Sequence, residues 1–361
     1  DEKGLRWRVG CCEAVSFPPR YRVAAVDTMN CCDSSQPSSQ RTSRAISHAH
    51  QEPDMYQQHK PNGRSTAFPS PRVIGAALAL GVASAPAVAC DAAYTTTGPA
   101  YCFLSEVGGC ANLPAFLAAH QPIFPVTLVI DQQCPAISQT LVLPGRMTLA
   151  GVGRDGEGAL LFQNLGLNVP AIAVAPGQGN IEIRDLLIRY ISAVPRGIGL
   201  RLNGNHMISM NGVRIDRFNV GVEGTDSYSI VINQSNISDN RTNLYLGHQA
   251  NSWRVRDSIL GRALGWSVIV RGPNNDVLFD GNRLESNQLG GFQLFTLGTV
   301  LSNNRLEFNG QAGAWHGVDV RPTAQETRIL SNIFSTDNIN DTGADTRCAF
   351  NINVAEPASC L

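Results

Sequence analysis

VLFDGNRLESNQ (277–288) and TVLSNNRLEFNG (299–310) are two copies of one passage, and their starts lie 22 residues apart. Each copy has apolar residues two apart, then a polar bend, then one more apolar residue. The passage returns as IEIRDLLIRYIS (181–192), ISMNGVRIDRFN (208–219), IVINQSNISDNR (230–241), WRVRDSILGRAL (253–264) and TRILSNIFSTDN (327–338), at intervals of 22–28 residues. Between copies runs a second alternating segment: GIGLRLNG (197–204), VGVEG (220–224), NLYLG (243–247), SVIVRG (267–272), GFQLF (291–295) and GVDVR (317–321). Alternation with a period of two marks strands, because successive side chains of a strand face opposite ways. The same pattern disfavours a helical or leucine-rich repeat.

A strand of about five residues cannot bury its apolar face alone. Coiling the chain sets each strand beside its counterpart one coil later, about 4.8 Å away, in parallel ladders. Inward Val, Ile, Leu and Phe side chains then share one continuous dry interior. The repeat therefore predicts an all-β chain, a single-stranded right-handed parallel β-helix over residues 125–340 with Val268, Phe292 and Val318 piled along one axis. Asn240, Asn287, Asn309 and Asp337 fall in one corner column, where stacked amides can bond from coil to coil. Open solenoid ends invite further strand pairing, so both ends need covers. The segment NLPAFLAAHQ (112–121) reads as a short capping helix within an N-terminal, disulfide-containing cap over 90–124. Residues 341–361 read as a C-terminal disulfide cap.

The 361-residue chain is 43% apolar and 16% charged, with a formal net charge of -1. That balance gives no general attraction to polyanions, so no nucleic-acid partner is expected. Lys3 and Lys60 are the only lysines, which excludes a lysine base from the repeat region. Residues 1–54 mix Arg, Ser, Gln and paired Cys without a sustained apolar period, and read as disordered or as an upstream extension. From Met55 the pattern changes. Lys60, Arg64 and Arg72 precede the apolar VIGAALALGVA (73–83), and APAVA (85–89) ends in an A-x-A pattern. This order predicts a signal peptide over 55–89 and a secreted, periplasmic or cell-envelope protein. The apolar run is too short for a membrane span.

Cysteine usage agrees with export. Cys90, Cys102, Cys110, Cys134, Cys348 and Cys360 follow the signal, and six thiols suit disulfides in an oxidising compartment. Cys348 is expected to pair with Cys360 and the first four among themselves. A lipoprotein signal ending at Cys90 ranks second, because lipidation would leave an odd thiol. Zinc is not expected without a C-x-x-C or a nearby His pair. A monomer is expected.

TLVLPGRMTLAGVGRDGEGALLF (140–162) resembles the opening coils of the pectate-lyase-like β-helix superfamily, whose members carry a similar "LP-x-G…L-x-G" passage. The likeness covers residues 122–340 and is specific for fold rather than function, since lyases, hydrolases, epimerases, tailspikes and adhesins share it. It implies a groove along one sheet, lined by outward residues of the second strand set, whose G-φ-x-φ opening is similar to the superfamily's active-site strand. Those outward positions read Arg201, Glu223, Tyr245, Arg271, Gln293, Asp319 and Arg321, with Trp266 and His316 at strand starts. On this likeness Tyr245 or His316 is the base, and Arg271 and Arg321 hold a sugar carboxylate. Arg201, Glu223, Trp266, Gln293 and Asp319 would line the substrate. The partner implied is an acidic polysaccharide, and the reaction that of a lyase or C5-epimerase. The plainer reading is that a sheet exterior must be polar, so such residues need no catalytic role.

Several superfamily signatures are missing. The Asn-Thr-Asp and paired Asp of the polygalacturonase-type hydrolases are absent, as is the alginate-epimerase Asp-Pro-His. Only Asp319 stands in the column where calcium-dependent lyases cluster several Asp, so no cofactor is expected and calcium lacks support. Glu285 and Glu307 occupy one position in successive coils, near the roughly 5–5.5 Å spacing of a retaining glycosidase pair. Yet Arg283 and Arg305 precede them by two residues, as Arg214 precedes Asp216, so an ion-pair ladder explains all three pairs. The alternative to an enzyme is a non-catalytic surface β-helix, an adhesin or a scaffold.

Overall fold

The computed structural model describes residues 90, 100–120, 123–153, 158–313 and 316–353, all within one compact unit, Leu80–Leu361. The expected extension and signal peptide (1–89) lie outside the described residues. Thirty strands and one helix are formed among the described residues. The strands join three parallel sheets of 11, 10 and 9 strands, here the first, second and third, and each coil visits them in that order. One coil runs Val277–Asp280, Arg283–Glu285 and Gly290–Leu294, and the next runs Thr299–Ser302, Arg305–Glu307 and His316–Val320. Each repeated passage thus holds two strands split by its polar bend, and the segment between copies supplies the third.

The interior is built from stacked columns. On the third sheet Leu200, Val222, Leu244, Val268, Phe292 and Val318 are successive lateral partners, and none is exposed. Removing each such side chain from water contributes about 1.5–3 kcal/mol. Column volumes compensate across the core. Gly224 stands where Leu202 and Leu246 stand one coil either side, and a Cβ there would lie 2.2 Å from the Trp253 ring. The small residue makes room for the largest buried one. Gly199, Gly221, Gly291 and Gly317 open four third-sheet strands for a similar reason. A Cβ on Gly199, Gly221 or Gly291 would fall within 2.6 Å of the next strand's backbone oxygen, and one on Gly317 would meet Asp337 Cβ at 2.7 Å. The glycine opening is therefore a packing requirement.

The corners are satisfied by polar ladders. Between the first and second sheets a single left-handed residue makes the bend, Asp257, Gly281, Asn303 and Ser331 having φ of 47–66°. The next residue then begins a ladder. Asn282 donates its Nδ2 to Asn304 Oδ1 at 3.0 Å, and Asn304 donates its Nδ2 to Asn332 Oδ1 at 2.9 Å. Ser235 and Ser258 continue this column toward the N-terminus. The expected column at the next corner also forms, as Asn287 to Asn309 (2.6 Å) to Asp337 (2.6 Å). Asn240 shares the column, but Ala263 intervenes in the coil between, so its Nδ2 donates to Ile215 O and Asn243 Oδ1 instead.

The N-terminal end is covered by the helix Gly109–Ala119, which buries Leu113, Phe116 and Leu117. Disulfides Cys90–Cys102 and Cys110–Cys134 tie this cap to the first coil, so the first four cysteines do pair among themselves. Cys348 is also disulfide-bonded, while Cys360 lies outside the described residues. No helix among the described residues is long and apolar enough to cross a membrane.

Candidate functional site

Alternation places one outward column along the third sheet: Arg201, Glu223, Tyr245, Ile269, Gln293, Asp319 and Asn340 are successive partners. Adjacent rungs are about 4.8 Å apart, so long side chains in this column touch. Arg201 donates from Nε to Glu223 Oε2 at 2.5 Å and from Nη2 to Asn168 O at 3.0 Å. Asp319 is only 1% exposed. Its carboxylate accepts from Asn340 Nδ2 at 2.8 Å and Gln293 Nε2 at 3.3 Å. Arg321 Nε approaches it at 2.7 Å as an ionic contact, without the alignment of a hydrogen bond.

Two residues further on, just past the end of each strand, a second column holds Arg271, Phe295 and Arg321 in successive coils. The guanidinium carbons stand over the Phe295 ring, 4.8 Å from its centroid for Arg271 and 5.9 Å for Arg321. Such cation–π contacts hold a guanidinium in place while leaving its N–H fork available. Tyr245 and Arg271 occupy neighbouring rungs with an offset of two residues, about 8 Å between backbones. At the strand starts the half-buried Trp266 lies across Gly290, where a Cβ would come within 2.1 Å of the indole. His316 Nδ1 lies 2.9 Å from Asn338 Oδ1.

The structure thus gathers some of the expected residues and separates others. Arg271, Arg321, Gln293 and Asp319 form one group around Phe295, with Tyr245 at its flank. His316 begins the strand that ends just before Arg321, five residues and about 16 Å away. Tyr245 is three rungs, about 14 Å, from the Asp319 coil. Tyr245 and His316 therefore cannot serve the same sugar unit. Phe295 escaped the sequence reading, although its place two residues after Gln293 matches that of Arg321 after Asp319. Glu285 and Glu307 are held as an ion-pair ladder: Arg283 Nη2 contacts Glu285 at 2.7 Å and Glu307 at 3.2 Å, and Arg305 Nε donates to Glu307 at 2.7 Å. Burial pushes the Glu307 carboxyl up, but the two arginines outweigh it and its pKa is lowered. No group of three His, Cys, Asp or Glu side chains gathers to hold a metal among the described residues.

A cleft of about 480 Å³ opens elsewhere, over the second sheet and the turns leading to the third. Arg189 grips Asp216 with two bonds of 2.6 and 2.7 Å, and Arg214 adds a third at 2.9 Å. Arg262 grips Asp239 with two bonds of 2.7 Å. Arg217 lines the same cleft. The Arg214–Asp216 pair was legible in sequence, but the cleft was not, because it draws on four coils.

No family profile matches this chain, and no curated protein matches it in sequence. Among solved structures it is similar to an alginate lyase from Paenibacillus sp. str. FPU-7, with 14% identity and a TM-score of 0.58 over 73% of this chain and 97% of that one. It is also similar to DFA-IIIase from Arthrobacter chlorophenolicus A6 in complex with DFA-III, with 12% identity and a TM-score of 0.50 over 65% of this chain and 67% of that one. Identities this low speak to the backbone alone. The chain is a right-handed parallel β-helix.

Proposed function

We propose that this chain is an exported protein that engages an acidic polysaccharide along its third sheet, and acts on it as a lyase or C5-epimerase. The reading rests on one observation: Tyr245 and Arg271 stand on adjacent rungs beside the Arg271–Phe295–Arg321 stack. A uronate carboxylate held by the Arg271 fork loses part of its charge, which acidifies the neighbouring C5–H. The Tyr245 oxygen, entering the step as phenolate, then takes the C5 proton. In a lyase the electron pair forms the C4–C5 double bond, the C4–O bond breaks, and the proton passes from Tyr245 to the departing oxygen. In an epimerase a solvent water donates a proton to C5 from the opposite face, and Tyr245 releases its proton to solvent. That the solved alginate lyase shares the fold is in keeping with this substrate class, as are the disulfides with export.

The test is a panel of pectate, alginate and glucuronan. Lyase activity appears as ultraviolet absorbance of unsaturated product, and epimerase activity as exchange of the C5 hydrogen in deuterated water. Tyr245→Phe is expected to lower turnover by about 10²-fold or more with polymer affinity retained. A non-catalytic scaffold has its own support, because Glu223 and Asp319 are both neutralised internally. Polymer binding without turnover, unaltered in Tyr245→Phe, would establish the scaffold and end the enzyme reading.

A further inference from the structure

We infer that the cleft over the second sheet is a binding site for an anionic sugar, carboxylated or sulfated, separate from the third-sheet face. The inference does not depend on the proposed activity. Four guanidinium groups, Arg189, Arg214, Arg217 and Arg262, line the cleft against two carboxylates, Asp216 and Asp239. Internal pairing accounts for three of the four. Asp216 is 1% exposed and saturated by Arg189 and Arg214, and Asp239 is clamped by Arg262. Arg217 makes no hydrogen bond or ion pair with any described residue. The cleft therefore carries a surplus of two positive charges, one of them on a guanidinium with no internal acid.

Position reinforces this. Arg217, Asp239 and Arg262 occupy the left-handed turn site of three successive coils, with φ of 68°, 59° and 51°. A left-handed site disfavours a non-glycine residue, and an arginine gains nothing there from a local side-chain bond. Rung spacing sets the three side chains about 4.8 Å apart in a row. Charge on the row runs donor, acceptor, donor. An oxyanion suits the Arg217 fork, while a sugar hydroxyl suits Asp239, whose side chain is 35% exposed. The Arg262 hydrogen bond holds the Asp239 carboxyl below its usual range, so it stays an acceptor. Pro195 and Leu264 give the cleft an apolar wall for the C–H face of a ring. A bare inorganic anion would use neither the wall nor the acceptor. The volume falls within the roughly 300–1,000 Å³ of small-molecule sites.

Calorimetric titration tests the site with four probes: a uronate oligosaccharide, a sulfated oligosaccharide, a neutral oligosaccharide of the same length, and inorganic sulfate. At least one anionic oligosaccharide is expected to bind more tightly than the other two probes, and the preferred one identifies the substituent. Arg217→Ala should weaken that binding about tenfold, Arg217→Lys should restore part of it, and Arg271→Ala should leave the Arg217-dependent binding unchanged. Arg217 is exposed and internally unbonded, so an unchanged unfolding midpoint is expected to show that its variants fold. The inference falls if no anionic sugar binds, if the neutral sugar or sulfate binds equally well, or if Arg217→Ala has no effect. Loss of binding in Arg271→Ala alone would overturn it while leaving the third-sheet reading intact.

Discussion

Asp337 ends a buried asparagine ladder with a carboxylate, and that one atom of difference has a measurable cost. It is 1% exposed and accepts from Asn309 N at 2.8 Å and Asn309 Nδ2 at 2.6 Å. Burial outweighs those bonds and raises its pKa from 3.8 to about 6. The folded state therefore binds the proton more tightly than the unfolded chain. The contribution of Asp337 to stability is fullest below pH 4 and is lost as pH rises through about 6, by about 3 kcal/mol in total. Asp337→Asn removes this penalty. Its Oδ1 can accept both donors, as Asn309 Oδ1 already accepts from Asn287 N and Nδ2. The variant is expected to unfold at higher denaturant at pH 7.5 and at the same denaturant as the parent at pH 3.5. An advantage independent of pH would refute the titration argument. The residue's column was legible in sequence from its spacing after Asn309, but its titration was not, because burial comes from neighbours in other coils.

Strands and corners bring different contributions. The strands follow from alternation alone, which any window of the repeat displays. The corners need the neighbouring coil. Asn304 accepts from Asn282 N and Nδ2 and donates to Phe279 O and Asn332 Oδ1, each near 3 Å. Asn304→Ala would leave Phe279 O and Asn282 N buried without partners. The expected cost is roughly 2–4 kcal/mol, read from urea denaturation with an unaltered m-value. Asn303→Ala, on an exposed bend beside it, tests the left-handed backbone together with exposed side-chain bonds to Asp280 and Ser302, and should cost about 1–2 kcal/mol. Equal losses would mean that the ladder adds nothing beyond bend geometry. The ladder over 282, 304, 332 and 351 went unread because serine takes its place at 235 and 258, which breaks the visible column. Likewise the glycines that open third-sheet strands resembled a family mark, and proved to be spaces required by the neighbouring strand's backbone and by nearby side chains.

A solenoid is stabilised between neighbours, so its ends differ from its middle. The helix Gly109–Ala119 and the two described N-terminal disulfides secure one end, and the disulfide of Cys348 belongs to the other. Reduction is therefore expected to raise amide hydrogen exchange over residues 100–137, leaving protection over 198–320 unchanged. Uniform loss of protection would show that the coils unfold as one unit. The same one-dimensional plan explains why sites are spread along the axis: each coil offers only a few outward residues per sheet, so any site must draw on several coils.

The amino-acid sequence by itself determined the strands, their parallel stacking and the inward columns, because period-two alternation repeated every two dozen residues has one way to bury itself. The tertiary structure decided which outward residues meet. It placed Phe295 between Arg271 and Arg321, set His316 apart from them, and assembled an arginine cleft on another sheet. Inward packing repeats with the coil and can be read from any one copy. An outward site is made by side chains that differ from coil to coil, and their meeting depends on register and reach in three dimensions.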